Sequence, residues 1–155
     1  MSVRVLLAVV LAAALIGAAM PAIHEAHAAR ADQQLSGSVD RLTAGASELT
    51  RHSDPVTPGV PGARRQVSVT IPPKPAGVSL TIEPASGNGT GTVLRATVPG
   101  EPESITHLSI PVRPVGTERT VRWNDTLVLE DSCDLTLRYR LVDGQPVVTV
   151  ARGFK

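Results

Sequence analysis

Residues 28–51 read AARADQQLSGSVDRLTAGASELTR. Leu35, Val39, Leu42, Ala46 and Leu49 recur there at spacings of four, three, four and three, and the series runs back through Ala31 and Ala28. That interval keeps apolar side chains on one face of an α-helix, while Asp32, Gln33, Gln34, Asp40, Arg41 and Glu48 fall off it. Gly37 and Gly45 weaken the helix without breaking its period. An apolar seam of this kind has to be covered. Its narrow spacing suits association with a partner helix, and residues 54–62 are long enough to let it fold back on its own chain instead.

Upstream, Ser2 and Arg4 precede an unbroken apolar run over residues 5–20, continued past Pro21 to Ile23. Those nineteen residues, as helix, reach about 28 Å at roughly 1.5 Å per residue, near the thickness of a bilayer core of about 30 Å. Arg4 is the only charge before the run, so the positive-inside tendency puts the N-terminus in the cytoplasm and everything after Ile23 outside. Two readings of the run compete. It is a retained anchor, because the helical period passes through residue 28 without a break. Or it is a signal peptide, with Ala26-His27-Ala28 as a small-x-small cleavage site before Ala29.

Downstream the period changes. Asp54-Pro55 stops the helix, since a residue before proline is pushed out of the α region. Residues 53–63 hold Pro55, Pro58, Gly59, Pro61 and Gly62, the composition of a stiff, extended linker. Beyond it Val67, Val69 and Ile71 alternate with Ser68 and Thr70, and Val78, Leu80 and Ile82 with Ser79 and Thr81. Further strand-like runs cover 93–98, 105–112, 120–123, 126–129, 135–142 and 147–151, rich in Val, Ile, Thr and Leu. Asp143-Gly144 between the last two is a hairpin turn signal. The expected fold class is α+β. A transmembrane anchor or signal (1–24), an amphipathic stalk helix (25–53) and a linker (54–64) lead to a small antiparallel β domain (65–155), a sandwich or rolled sheet folding on its own.

The stretch from residue 6 to 31, LLAVVLAAALIGAAMPAIHEAHAARA, resembles the N-terminal helix of type IV pilins and pseudopilins. Ile16-Gly17, Pro21-Ala22 and Ala29-Arg30-Ala31 stand where that family has its Ile-Gly, its Pro-Ala pair and its polar exit. The resemblance implies a compact, mostly β head on the end of the helix and a structural role in a surface assembly. The chain also resembles small haloarchaeal proteins with a similar anchor and β domain, and thirteen Arg against two Lys fit such a source.

Composition limits the function. Across 155 residues the net charge is +1, and the only aromatics are Trp123, Tyr139 and Phe154. That is little with which to grip nucleic acid by charge or stacking. One cysteine, Cys133, leaves no internal disulfide and no Cys-based zinc site. His24 and His27 are three apart, not the four of a zinc-protease helix. Glu130-Asp131-Ser132-Cys133-Asp134 lacks the ligand spacing and central glycine of a calcium loop. Cys133 has no sequence tie to His107, and Gly87-Asn88-Gly89-Thr90-Gly91 lacks the lysine and helix of a phosphate cradle. No catalytic residue, metal or cofactor is expected. On the run 135–141, Arg138 and Arg140 should face solvent, with Arg113, Arg119 and Arg122 nearby on the same wet side. Asn88 and Asn124 head N-x-Thr sequons in turn-like contexts.

The expectation is therefore a non-enzymatic, single-pass protein of the cytoplasmic membrane with its C-terminal domain outside. It would be a pilin-like or accessory part of a surface or secretion assembly. Its partners would be the lipid bilayer and other membrane-anchored helices, with no nucleic acid and no identified small molecule. The alternative is a secreted β-domain binding module released by cleavage after Ala28.

Overall fold

The computed structural model describes residues 3–73, 75–85, 90–115, 121 and 123–153. One helix, α1 (Val3–His52), leads into β1 (Arg64–Val69), β2 (Ser79–Pro84), β3 (Thr92–Thr97), β4 (Ser104–Leu108), β5 (Val112–Pro114), β6 (Leu127–Leu129), β7 (Cys133–Val142) and β8 (Gln145–Arg152). The strands make two four-stranded sheets, ordered β1-β7-β8-β5 and β4-β3-β2-β6. Every pairing is antiparallel except β5 with β8, which is parallel. The architecture is α+β, as the change of period predicts.

Ala, Leu and Val at high density make α1 a continuous helix of 50 residues, about 75 Å long at roughly 1.5 Å per residue. Pro21 sits inside it, and its missing N–H leaves the Gly17 carbonyl without its usual donor. Arg51 and His52 occupy the last turn, where positive charge suits the helix dipole. Pro55 then prevents continuation.

Alternation sets the inner face of each sheet. Val67 lies opposite Leu135, and Leu137 opposite Val150, all buried. In the second sheet Leu80 stands between Ala96 and Leu129, and Ile82 opposite Leu94. The β7–β8 hairpin turns at Asp143 and Gly144, both with positive φ (51° and 78°), the backbone that a two-residue turn of the primed kind demands.

The helical seam completes this core. Ala28, Ala31, Leu35, Val39, Leu42, Ala46 and Leu49 are all 7% exposed or less and cluster with the inner faces of both sheets. The helix packs on β1, β7 and β8 of one sheet and on β3 of the other. The seam is thus closed by its own chain, and the expectation of a partner helix along Leu35, Val39, Leu42, Ala46 and Leu49 is corrected: their contacts are used up. For the same reason the core of residues 65–155 is not their own alone, since α1 fills their interior. Gly45 lets the helix come close to β1 and β7. A Cβ there would stand 3.0 Å from Val67 Cγ2 and 3.2 Å from Leu137 Cδ1.

Off the seam, polar residues bind the open edge of β1. The helix runs antiparallel to that strand. Thr70 N–H donates to Ser38 Oγ at 3.1 Å, Arg41 Nε donates to the Ser68 carbonyl at 3.2 Å, and Glu48 pairs with Arg65. Ser38 is fully buried, and its oxygen also accepts from the Arg41 guanidinium at 3.0 Å. An edge strand exposes unpaired backbone groups, and here the helix satisfies the Ser68 carbonyl and, just past the strand, the Thr70 N–H. Ser38→Ala should lower stability by about 1–3 kcal/mol, because it strips the Thr70 N–H of its acceptor inside the fold. Urea unfolding of the detergent-solubilised protein reads this directly. A midpoint unchanged from wild type would show the contact to be idle.

Two further expectations change. The linker is docked rather than free: Val56 bridges Arg140 in parallel, and Leu141 N–H donates to the Val56 carbonyl at 2.9 Å. The run 105–112 is broken, with β4 in one sheet and β5 in the other. Pro111 cannot donate to a ladder, and its carbonyl instead accepts from Val148 N–H at 2.9 Å. Thr120 and Arg122 of the run 120–123 lie outside the described residues; Val121 forms a bridge with Val115.

Candidate functional site

The feature that the fold leaves without an internal purpose is the first half of α1. The described side chains from Val3 to His27 are exposed, among them Leu7, Leu11, Leu15 and Ile16, each more than 60% accessible. No part of the head covers them. This is a helix long and apolar enough to cross a membrane. Burial begins at Ala28. Only residues 24–27, about 6 Å of helix, separate the apolar run from the head. The stalk expected at 25–53 is therefore mostly core, and the head stands close to whatever the apolar segment enters.

The other sequence candidates are scattered. Glu25 and His27 are exposed on the helix. Among the described residues no three His, Cys, Asp or Glu side chains come together. His107 is on β4 and Cys133 begins β7, in different sheets. Cys133 packs partly buried against the core. Burial pushes its thiol pKa up, with Asp134 and Asp131 adding to the rise and Arg152 opposing it. The thiolate therefore forms only at higher pH than in an exposed thiol. Iodoacetamide at pH 8 should alkylate Cys133 several-fold more slowly in the folded protein than in urea. Equal rates would contradict the burial.

Asn124 stands exposed in a turn, open to modification, whereas Asn88 lies outside the described residues. Glu130 and Asp131 are exposed, while Ser132 Oγ accepts from Ile71 N–H at 2.9 Å, a loop-to-loop tie.

The arginines divide in a way that alternation alone does not reveal. Arg138 is exposed and Arg140 half-buried on the outer face of the first sheet, as predicted. Arg64 joins them, directly opposite Arg138. Arg113 does not. It is fully buried, and its guanidinium donates to the carbonyls of Gly91 at 3.1 Å and Val112 at 2.9 Å, with Trp123 5.9 Å away over its face. Burial lowers its pKa. It joins the end of β5 to the start of β3, a structural part. Arg119 and Arg122 lie outside the described residues. On the second sheet Arg95 donates to Glu83 at 2.9 Å and to Glu103 at 2.6 Å, and these hydrogen bonds, that to Glu83 first, raise its pKa.

No curated protein and no solved structure matches the chain. Residues 2–153, nearly its whole length, match the family described as a domain of unknown function, DUF7311. Helix and head thus fall within one family unit, and the chain belongs to the DUF7311 family.

Proposed function

We propose that the protein is a non-enzymatic, single-pass component of the cytoplasmic membrane, with its head outside, serving as a pilin-like or accessory part of a surface or secretion assembly. One observation carries the reading. A single helix is apolar over residues 3–23, with its described side chains there uncovered, and joins the core of the head from Ala28 onward. Anchor and head thus share one continuous helix, a layout suited to holding a β surface close above a bilayer. Arg4 before the run favours the cytoplasmic side for the N-terminus. The exposed outer faces of the sheets are what such a part presents to its neighbours.

A second reading has its own support. The small-x-small site ends at Ala28, where burial also begins. Cleavage there would release a head that keeps Ala31, Leu35, Val39, Leu42, Ala46 and Leu49, a secreted β-domain binding module. Intact-mass measurement of the native protein, with antibody labelling of the head on intact cells, separates the two. A full-length chain in membranes whose head is labelled from outside supports the anchor. A soluble chain beginning at Ala29 overturns it in favour of release.

A further inference from the structure

We infer that the outer face of the β1–β7 pair, carrying Arg64, Arg138 and Arg140, is a docking surface for an extended acidic polypeptide segment. Like charges directly opposite one another on neighbouring strands destabilise a sheet, and Arg64 faces Arg138 in this way. Arg140 follows two residues along β7 on the same face. Among the described residues none of the three forms an ion pair: the pairs are Arg65 with Glu48, and Arg95 with Glu83 and Glu103. Asp134 lies on that face nearer the start of β7, and it accepts a hydrogen bond from Ser68 at 2.6 Å. Among the described residues the fold thus brings three cations together with no carboxylate paired to them. A bound anion would neutralise them.

Position excludes the nearest source of anions. Arg65, next to Arg64, pairs with Glu48 on the helix, and Glu48 lies 25 residues beyond Ile23. That is about 38 Å along the helix at roughly 1.5 Å per residue. A tilt of about 40°, the extreme for membrane helices, still leaves close to 30 Å. Screening in physiological salt acts over about 8 Å, so the headgroups of the bilayer that holds the helix do not reach this face.

Pitch and surroundings favour a peptide. Arg138 and Arg140 are about 7 Å apart along the strand, the spacing of alternate side chains on an extended chain. A segment with carboxylates at every second residue therefore meets them in register, and arginine grips carboxylates through paired N–H bonds. Beside the arginines Val60 stands about half exposed, next to Val56 and Ala63. It offers an apolar contact to the segment's intervening residues, which a polyphosphate or a polyuronate cannot use.

The test uses the full chain in nonionic detergent and a fluorescent peptide alternating Glu with Thr and Val, read by anisotropy. Binding should weaken steeply with salt and drop about tenfold or more in Arg138→Gln/Arg140→Gln. Arg64→Gln, on the other strand, should weaken it independently, and Arg95→Gln should leave it unchanged. A peptide of the same composition with its Glu residues contiguous should bind more weakly. Thermal melts of the variants should match or exceed wild type, since a like-charge contact is relieved. No measurable binding to wild type would overturn the proposal. So would equal affinity in the double variant and Arg64→Gln, or tighter arginine-dependent binding of polyphosphate or polyuronate than of the alternating peptide.

Discussion

Leu42→Asp will unfold the β head. Leu42 is fully buried between the sheets, and burying a leucine of this size contributes about 1.5–3 kcal/mol. Substitution removes that and places a carboxylate inside an apolar cluster, a further penalty of several kcal/mol. Small domains have about 5–15 kcal/mol in total, so little or nothing remains. The protein should lose protease resistance and strand circular dichroism throughout, not only along the helix. Arg51→Asp, on the exposed last turn, serves as the control and should melt close to wild type. A fragment of residues 64–155 should likewise be unfolded, because seven core positions lie on the missing helix. A protease-resistant head in Leu42→Asp would show that the seam belongs to another molecule after all.

Leu11→Lys/Leu15→Lys should have an equally large effect at the other end. Both residues are exposed near the middle of the apolar run. A lysine at the centre of a spanning helix costs about 2.5–3.5 kcal/mol, so the pair opposes insertion by about 5–7 kcal/mol, thousands-fold in partition. Synthesised with liposomes, wild type should sediment with lipid and resist alkaline carbonate, while the variant stays in solution. Its head should remain folded, since the described side chains before Ala28 add nothing to the core. Retention of the variant on liposomes would refute the span.

Much of the fold was legible because period reports which side of an element must be dry. Every residue of the seam read from spacing is buried in the fold. What covers it was not legible, because periodicity demands burial and is silent about the partner. Ser38 shows a second limit. It lies beside the seam and looks like a wet residue, yet it is buried because β1 needs its oxygen. Pro111 did carry a signal, since a proline inside a strand-like run weakens it, and the break falls there. Arg113 carried none: three-residue β5 is too short for alternation to fix a direction, and the side chain turns round the sheet edge to Gly91. The linker's prolines specified an extended backbone, which is also what lets Val56 add to β7. The basic face was half legible. Arg138 and Arg140 follow from alternation on one strand, but Arg64 needs the register of β1 against β7.

The antiparallel contact between the helix and β1 also determines how the molecule carries load. A pull transmitted from the apolar segment enters the head along the axis of α1, parallel to the strand beside it. The ties at Ser38–Thr70, Arg41–Ser68 and Glu48–Arg65 are strung along that axis. They are therefore strained together in shear and cannot be peeled open one after another. Extracting the helix means sliding seven buried side chains past both sheets at once, whereas sideways traction on the Val56 segment loads its few bonds in turn. The head should yield to traction at the docked linker long before it lets go of its anchor.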